Sequence, residues 1–311
     1  MAAPHTAQSP ALGRGRLSGW ALALISSVGT GVATVLGKWN LESMNPLAMT
    51  CLIFTVATVA LSITHLPRHG FKAIFSQSRI AWLWIILFGL TSWLGIWAFW
   101  AGVQLMDPSL AAFLNRSQVL VAIGLGILLL KERFAGSELA GAILALGGIV
   151  VMRFTLRAEY SEGFWLVLIG ALLTGVTELV SKLAIRHVPP VTLGYLRNGI
   201  MALLYWLSMP FIGFEFTGLS QVWYGVIALG LVGPIWSRMA YLMALERMDL
   251  SKVAVITQTQ PVFVLLIALI VLGQIPTLRE ATGGVLLIAG CILMIVARYR
   301  EKLMTRLTPK R

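Results

Sequence analysis

The chain has 311 residues, of which 58% are hydrophobic and 12% charged, with a formal net charge of +12 and a mean hydropathy of +0.85. The charged share is about half that of an ordinary soluble domain, too little to cover a soluble core, which excludes a soluble globular protein. The positive charge sits in short segments between apolar runs and is not gathered on one face, which excludes a nucleic-acid-binding module and points to membrane topology.

Residues 1–17 are polar and carry Arg14 and Arg16. An apolar run follows at once and is long enough to span, so it is expected to be a retained helix and not a cleaved leader. A helix needs about 20 apolar residues to cross the hydrocarbon core. Runs of that order lie near 18–37, 47–66, 80–103, 109–130, 137–153, 163–182, 190–212, 221–245, 252–272 and 280–298, which predicts ten spans. Alternating ten-residue segments are absent, so a transmembrane barrel is excluded.

Span 1 contains "GVATVLGKW" (31–39), which superficially resembles a phosphate loop. It has five residues between its glycines, ends in Trp, and lies inside a span, so ATP hydrolysis by this chain is not expected. Span 3 places Trp93, Trp97 and Trp100 on one helical face. Trp82 and Trp84 at its start are an ordinary interfacial pair. Facing a cavity, the three tryptophans stack on aromatic substrates or attract an ammonium; facing lipid, they are filler. Asp107 and Asp249 precede spans 4 and 9 and are expected N-caps.

Span 4 carries Asn115, Arg116, Ser117 and Gln118; span 9 carries Thr257, Gln258, Thr259 and Gln260. Such patches serve either a shared site or hydrogen bonds between helices. Span 6 carries Thr174, Glu178 and Lys182, the last two spaced to pair on one face. Spans 7 and 8 add Tyr195, Arg197, Asn198, Trp236, Arg238 and Tyr241. Ionisable groups at a span centre cost about 2.5–3.5 kcal/mol on insertion scales, so Arg116, Arg197, Arg238 and Glu178 need partners or water. A carboxylate-binding cavity, structural pairing, and snorkelling of Arg197 and Arg238 all remain open. Cys51 and Cys291 fall in apolar runs without metal spacing, and the four histidines, His5, His65, His69 and His187, fall in the tail or loops. No cofactor and no metal are expected.

With the N-terminus inside, the inner segments hold 17 lysines and arginines and the outer loops 4, namely Lys38, Arg153, Arg157 and Arg279. That bias predicts both ends in the cytoplasm.

"TGVATVLGK" (30–38) and "TGVTELVSK" (174–182) lie 144 residues apart, with Pro46 matching Pro190. "LMDPSLAAFLNRSQVL" (105–120) matches "RMDLSKVAVITQTQPV" (247–262) at an offset of 142, and Glu138/Glu280, Gly141/Gly283 and Gly148/Gly290 continue that register. The glycines sit at heptad spacing on spans 5 and 10, which permits close packing within the chain or in a dimer. The chain thus reads as a duplicated five-span unit. Five is odd, so the second copy enters the membrane inverted, an arrangement typical of transporters with a midplane site. In the repeat, Thr34 stands opposite Glu178.

"LLLKER" (128–133) with "GAILALGGIVV" (141–151), and "QPVFVLLIALIVLGQ" (260–274) with "GGVLLIAGCILM" (283–294), resemble the paired EamA-type modules of the drug/metabolite transporter superfamily. Within it, the chain looks most like the YddG-type amino-acid exporters. The resemblance covers nearly the whole chain. It implies an all-α integral membrane fold with repeats at 18–153 and 154–300 between tails 1–17 and 301–311. It further implies a central cavity lined mainly by spans 1, 3, 4, 6, 8 and 9, and export of amino acids, aromatic ones included, from a bacterial cytoplasmic membrane. The first module ends in Lys131-Glu132 and the second in Gly273-Gln274, which departs from the family pattern. Expected cavity residues are Thr34, Trp93, Trp97, Trp100, Asn115, Arg116, Gln118, Thr174, Glu178, Tyr195, Trp236, Arg238, Tyr241, Gln258 and Gln260. The expected partners are small amino-acid substrates and lipid, with no nucleic acid, and the expected state is a monomer or weak homodimer. Export of cationic drugs on the same fold is the alternative. An intramembrane enzyme would need a catalytic cluster, and none is present in the sequence.

Overall fold

The computed structural model describes residues 17–121, 125, 136–155, 158–213, 215–248, 253, 256–273 and 278–307, and these form helices and turns with no strand among them. The helices are α1 (Gly19–Leu41), α2 (Pro46–His69), α3 (Phe71–Phe75), α4 (Arg79–Gln104), α5 (Pro108–Leu114), α6 (Gly136–Thr155), α7 (Ser161–Ala184), α8 (Pro190–Ile212), α9 (Leu219–Gly230), α10 (Arg238–Arg247), α11 (Gln260–Leu272) and α12 (Leu278–Leu307).

Their starts follow from short polar side chains that satisfy otherwise unpaired amides. Ser18 Oγ accepts from Ala21 N at 3.2 Å, Ser78 Oγ from Ala81 N at 3.1 Å, and Asn45 Oδ1 from Leu47 N at 2.8 Å. Asp107 Oδ1 accepts from Ser109 N at 2.7 Å, with Pro108 at the first helical position, so Asp107 is an N-cap as expected. Asp249 lies outside the described residues, as do Lys131, Glu132 and Gln274. Gly273, at φ +65°, closes α11 in the left-handed conformation that favours glycine. Within the apolar helices, Thr55, Thr58, Thr91 and Ser92 turn their hydroxyls back onto the carbonyl four residues earlier, which hides the polar atom from a hydrocarbon environment.

Among the described residues, five helical segments are long and apolar enough to cross a membrane: Gly19–Leu41, Pro46–Arg68, Arg79–Gln104, Ser161–Ala184 and Leu219–Arg247. Shorter apolar helices lie at Leu139–Val151, Gln260–Leu272 and Ala281–Leu293. The chain is therefore a multi-pass membrane protein. The structure departs from the expected runs in four places. A short α3 precedes span 3. The run near 221–245 is split by a π-helical stretch, Leu231–Ser237, that holds Pro234. α12 continues to Leu307, beyond the expected end at 298. Neither His65 nor His69 is in a loop: both lie in α2, and His65 is buried, its Nε2 3.1 Å from Thr192 Oγ1 of α8.

Helix packing repeats itself across the two halves. A Cβ on Gly148 of α6 would lie 2.6 Å from the Gly283 carbonyl of α12, and one on Gly290 would lie 2.6 Å from the Gly141 carbonyl. These are the same contact read from either side, because 141 and 148 correspond to 283 and 290. The glycines thus serve helix packing within the chain, where only a missing side chain lets backbones meet. Likewise Gly31 of α1 faces Phe263 of α11, while its counterpart Gly175 of α7 faces Val121, the counterpart of Phe263. Gly29 faces Ser237, and Gly95 faces Leu173, again with exchanged counterparts. At one end, Lys38 Nζ of α1 donates to the carbonyls of Val103 and Gln104 at 3.0 and 2.9 Å, and Gln104 Nε2 donates to Leu41 O at 3.1 Å. A cation there meets the negative end of α4.

Candidate functional site

The polar patches of spans 4 and 9 turn out to be helix breaks. The α-helix of α5 stops at Leu114, and Asn115–Ser117 continue as a 3-10 turn. In span 9, Gln258 and Thr259 form a turn just before α11. With the offset of 142, Arg116-Ser117 and Gln258-Thr259 are equivalent, so both repeats interrupt the same helix at the same place.

A break frees carbonyls that a continuous helix would use, and each must find a donor. Arg116 Nη1 donates to the Thr257 carbonyl at 3.0 Å, which joins one break to the other. The Arg116 carbonyl takes the Cys291 thiol of α12 at 3.6 Å. Arg116 is only 3% exposed, and its Nε has no hydrogen-bond partner. Gln258, its repeat counterpart, is also 3% exposed, with neither amide atom partnered. Asn115 Oδ1, Ser117 Oγ and Gln118 Oε1 are buried and unpartnered as well. Gln260 is tied off: its Nε2 donates to Thr30 Oγ1 at 3.3 Å, Thr30 lies 2.7 Å from Ser237 Oγ, and Ser237 donates to Ser26 O at 2.9 Å. That chain fastens α11 and the π segment to α1.

Beside the breaks lies a cluster of charge. Glu178 Oε1 of α7 pairs with Arg238 Nη1 at 2.8 Å, and Ser181 Oγ reaches Oε2 at 3.5 Å. The spacing pointed to Lys182, four residues on in the same helix; the partner at Oε1 comes from another helix. Arg238 Nε and Nη2 have no partner. Arg197 of α8 is buried, with Nε donating to Ser92 Oγ at 2.9 Å and Nη1 to Asn198 Oδ1 at 3.2 Å. Both guanidiniums lie over Phe88 of α4, at 5.1 Å for Arg197 and 5.2 Å for Arg238. Arg238 also covers Tyr241 at 4.9 Å and Arg197 covers Phe54 at 5.6 Å. The guanidiniums of Arg197 and Arg238 both turn to protein partners. Phe88 carried no signal in the sequence, being one apolar residue in an apolar helix. Ser92, Ser237 and Thr30, also unexpected, show only as hydroxyls within such helices.

The structure brings Asn115, Arg116, Gln118 and Gln258 to the breaks, and Glu178, Arg238 and Tyr241 to the charge cluster beside them. Trp93 and Trp97 are partly buried against the core; the Trp93 carbonyl accepts from the Tyr205 hydroxyl at 2.8 Å. Other candidates are placed differently. The Trp100 ring packs on Gly37 of α1. Thr34 and Thr174 bond back to the carbonyls of Thr30 and Gly170 at 2.8 and 2.7 Å. Tyr195 lies 3.0 Å from Ser62 Oγ and packs on His65 and Phe75, away from the breaks. Trp236 is 52% exposed.

A multi-pass helical fold with paired helix breaks around buried polar groups has the construction of a membrane transporter, not of an enzyme. Residues 17–154 and 161–296 each match the model of the EamA-like transporter family, and the chain belongs to that family. It is 25% identical over 303 residues to a probable amino-acid metabolite efflux pump of Salmonella typhimurium, which covers 88% of this chain and 93% of the relative. It is 27% identical over 191 residues to a probable terminal-alkyne amino-acid exporter of Streptantibioticus cattleyicolor, covering 60% of this chain and 62% of that one. A crystal structure with 21% identity and a TM-score of 0.64 covers 90% of this chain and 99% of its own, so the fold is shared.

Proposed function

We propose that the chain exports amino acids or amino-acid-derived metabolites, aromatic ones included, from the cytoplasm across a bacterial cytoplasmic membrane. It does so through ten spans arranged as two inverted five-span repeats with both termini inside. The observation that carries this reading is the pair of equivalent helix breaks at 115–117 and 258–259, with buried polar atoms of Arg116 and Gln258 left unpartnered around them. Broken helices at a repeat interface are where secondary carriers hold their cargo. The exchanged glycine contacts support a two-fold relation between the repeats. The names of the two relatives support amino-acid cargo.

In this reading the substrate lies between the breaks, in a central cavity reached alternately from either side. Arg116 recognises its carboxylate, for which a planar guanidinium is well shaped. Trp93 and Trp97 line the route for an apolar side chain. Glu178 pairs with Arg238 at 2.8 Å and acts as a fixed partner. A cluster of arginines argues against cationic drugs as cargo.

Reconstituting the full chain in liposomes and assaying a panel of labelled amino acids beside one quaternary amine tests the proposal. Amino-acid exchange that exceeds empty liposomes, with no flux of the amine, is expected. In the same assay Trp97→Ala should lower transport of phenylalanine more than of threonine. Flux of the amine alone would overturn the assignment.

A further inference from the structure

Around the helix breaks the charges do not balance. Arg197 and Arg238 both lie over Phe88, Arg238 pairs with Glu178 of α7, and α7 meets the break that carries Arg116, Gly175 lying against the Gln118 carbonyl. Among the described side chains Glu178 is the one carboxylate beside them, and it is already engaged by Arg238 at 2.8 Å. Asp107 is occupied capping α5, while Glu42, Glu159, Glu162, Glu215 and Glu246 are exposed. The unpartnered polar atoms include Arg116 Nε, Arg238 Nε and Arg238 Nη2. A guanidinium has only donors, so whatever completes these groups is an acceptor, and the surplus of positive charge makes that acceptor an anion. The dipole of α11, whose N-terminus begins at Gln260 beside the break, adds to the same sign.

The reverse holds for a cation. A substrate ammonium is held best by a free carboxylate or an open aromatic face, and the unpartnered amide oxygens of Asn115, Gln118 and Gln258 offer it only neutral acceptors. Glu178 is engaged. Phe88 lies under two guanidiniums, and Tyr241 and Phe54 each lie under one. A zwitterion therefore gains at its carboxylate and meets like charge at its ammonium. The repeat counterparts of Glu178, Arg197, Arg238 and Arg116 are Thr34, Ile53, Ile96 and Gln258, so none of these charges is a requirement of helix packing.

We propose that the site selects metabolites of net negative charge: one carboxylate on an apolar or aromatic body, with the amine absent or acylated. Zwitterionic and cationic forms of the same skeleton are disfavoured. This rests on the exporter reading above and narrows its cargo.

Three ligands of one skeleton decide it: N-acetylphenylalanine, phenylalanine and phenylalaninamide, anion, zwitterion and cation at neutral pH. The wild-type full chain is assayed for flux in liposomes and for thermal stabilisation in detergent. Roughly tenfold tighter apparent affinity for N-acetylphenylalanine than for phenylalanine is expected, and no response to phenylalaninamide. Arg116→Gln should shrink the preference for the anion, and Arg116→Lys should retain part of it. Phenylalanine equal to or better than N-acetylphenylalanine in the wild-type chain overturns the inference and leaves the exporter reading standing. No flux and no stabilisation by any of the three overturns both. The wild-type comparison decides the question even where a variant fails to fold.

Discussion

Arg116 Nη1 and the carbonyl oxygen of Thr257 stand 3.0 Å apart, so a side chain from the break in one repeat satisfies the backbone of the break in the other. The bond gives the guanidinium, in a position that is 3% exposed, one neutral acceptor. It also couples the two repeats at the point where substrate is proposed to bind.

Removing that side chain should be felt in stability and in transport together. A hydrogen bond from a charged donor is worth about 1.5–3 kcal/mol, and here it joins the two breaks. Arg116→Gln is expected to lower the melting temperature by several degrees and exchange by roughly tenfold, about 1.4 kcal/mol. Arg116→Lys, which keeps the charge but not the fork, should fall between. Wild-type melting and exchange in Arg116→Gln would sink the assignment.

The Glu178–Arg238 pair offers a cleaner experiment, because the first repeat shows what can replace it. The counterparts are Thr34 and Ile96. Glu178→Thr alone leaves a partly buried cation without its partner, which costs less than the about 3–5 kcal/mol of a fully buried pair. Glu178→Thr combined with Arg238→Ile installs the first repeat's solution and should recover most of the stability. A thermal-melt cycle on the four proteins checks this; additive losses would show that the pair is not coupled.

The glycine seam between α6 and α12 should tolerate almost nothing. A Cβ on Gly148 or Gly290 meets backbone on the opposite helix, whereas one on Gly147 meets nothing within 4 Å. Gly148→Leu and Gly290→Leu are each expected to cost about 1–3 kcal/mol or more through overpacking and to cut the yield of monodisperse protein. Gly147→Ala should behave as wild type. Equal behaviour of all three in size-exclusion profiles and melts would contradict the packing.

Lys38 closes the ends of α1 and α4 by holding the Val103 and Gln104 carbonyls. Lys38→Gln shortens that reach. It should make cysteines placed near Gln104 label faster from the side on which these ends lie, and slow substrate exchange several-fold. Unchanged labelling would mean the contact is not a closure.

Much of this architecture was legible in the sequence because hydropathy and self-similarity are averages over many residues. The repeat register, read from Thr-Gly-Val and Met-Asp pairs, agrees with the contacts exchanged between Gly31 and Gly175. The polar stretches at 115–118 and 257–260 were visible too, but not that they interrupt helices, since an Arg or Gln in an apolar run is compatible with a continuous turn. Partners were harder still. Lys182 was the local choice for Glu178, and sequence spacing carries no information about α10, which delivers Arg238 from 60 residues away. The tryptophans on span 3 were legible as a face, yet Trp100 turned to Gly37, a glycine whose only signal is the room it leaves. His65 reads as a loop residue beside Pro67 and Arg68 until Thr192 supplies its partner.

The exchanged contacts of Gly148 and Gly290 have a consequence for assembly. A surface on which position 141 meets 290 and position 148 meets 283 is self-complementary, the condition for a closed pair of like units. The tether between the repeats is then dispensable for recognition. Two fragments cut near residue 156 and made separately should find each other in the bilayer, and two copies of one fragment inserted in opposite orientations would carry the geometric means to pair about a two-fold axis. The covalent join serves mainly to forbid that second outcome: it raises the local concentration of the correct mate. It thereby let the halves diverge, so that one could gain Glu178, Arg197 and Arg238 while the other kept Thr34, Ile53 and Ile96.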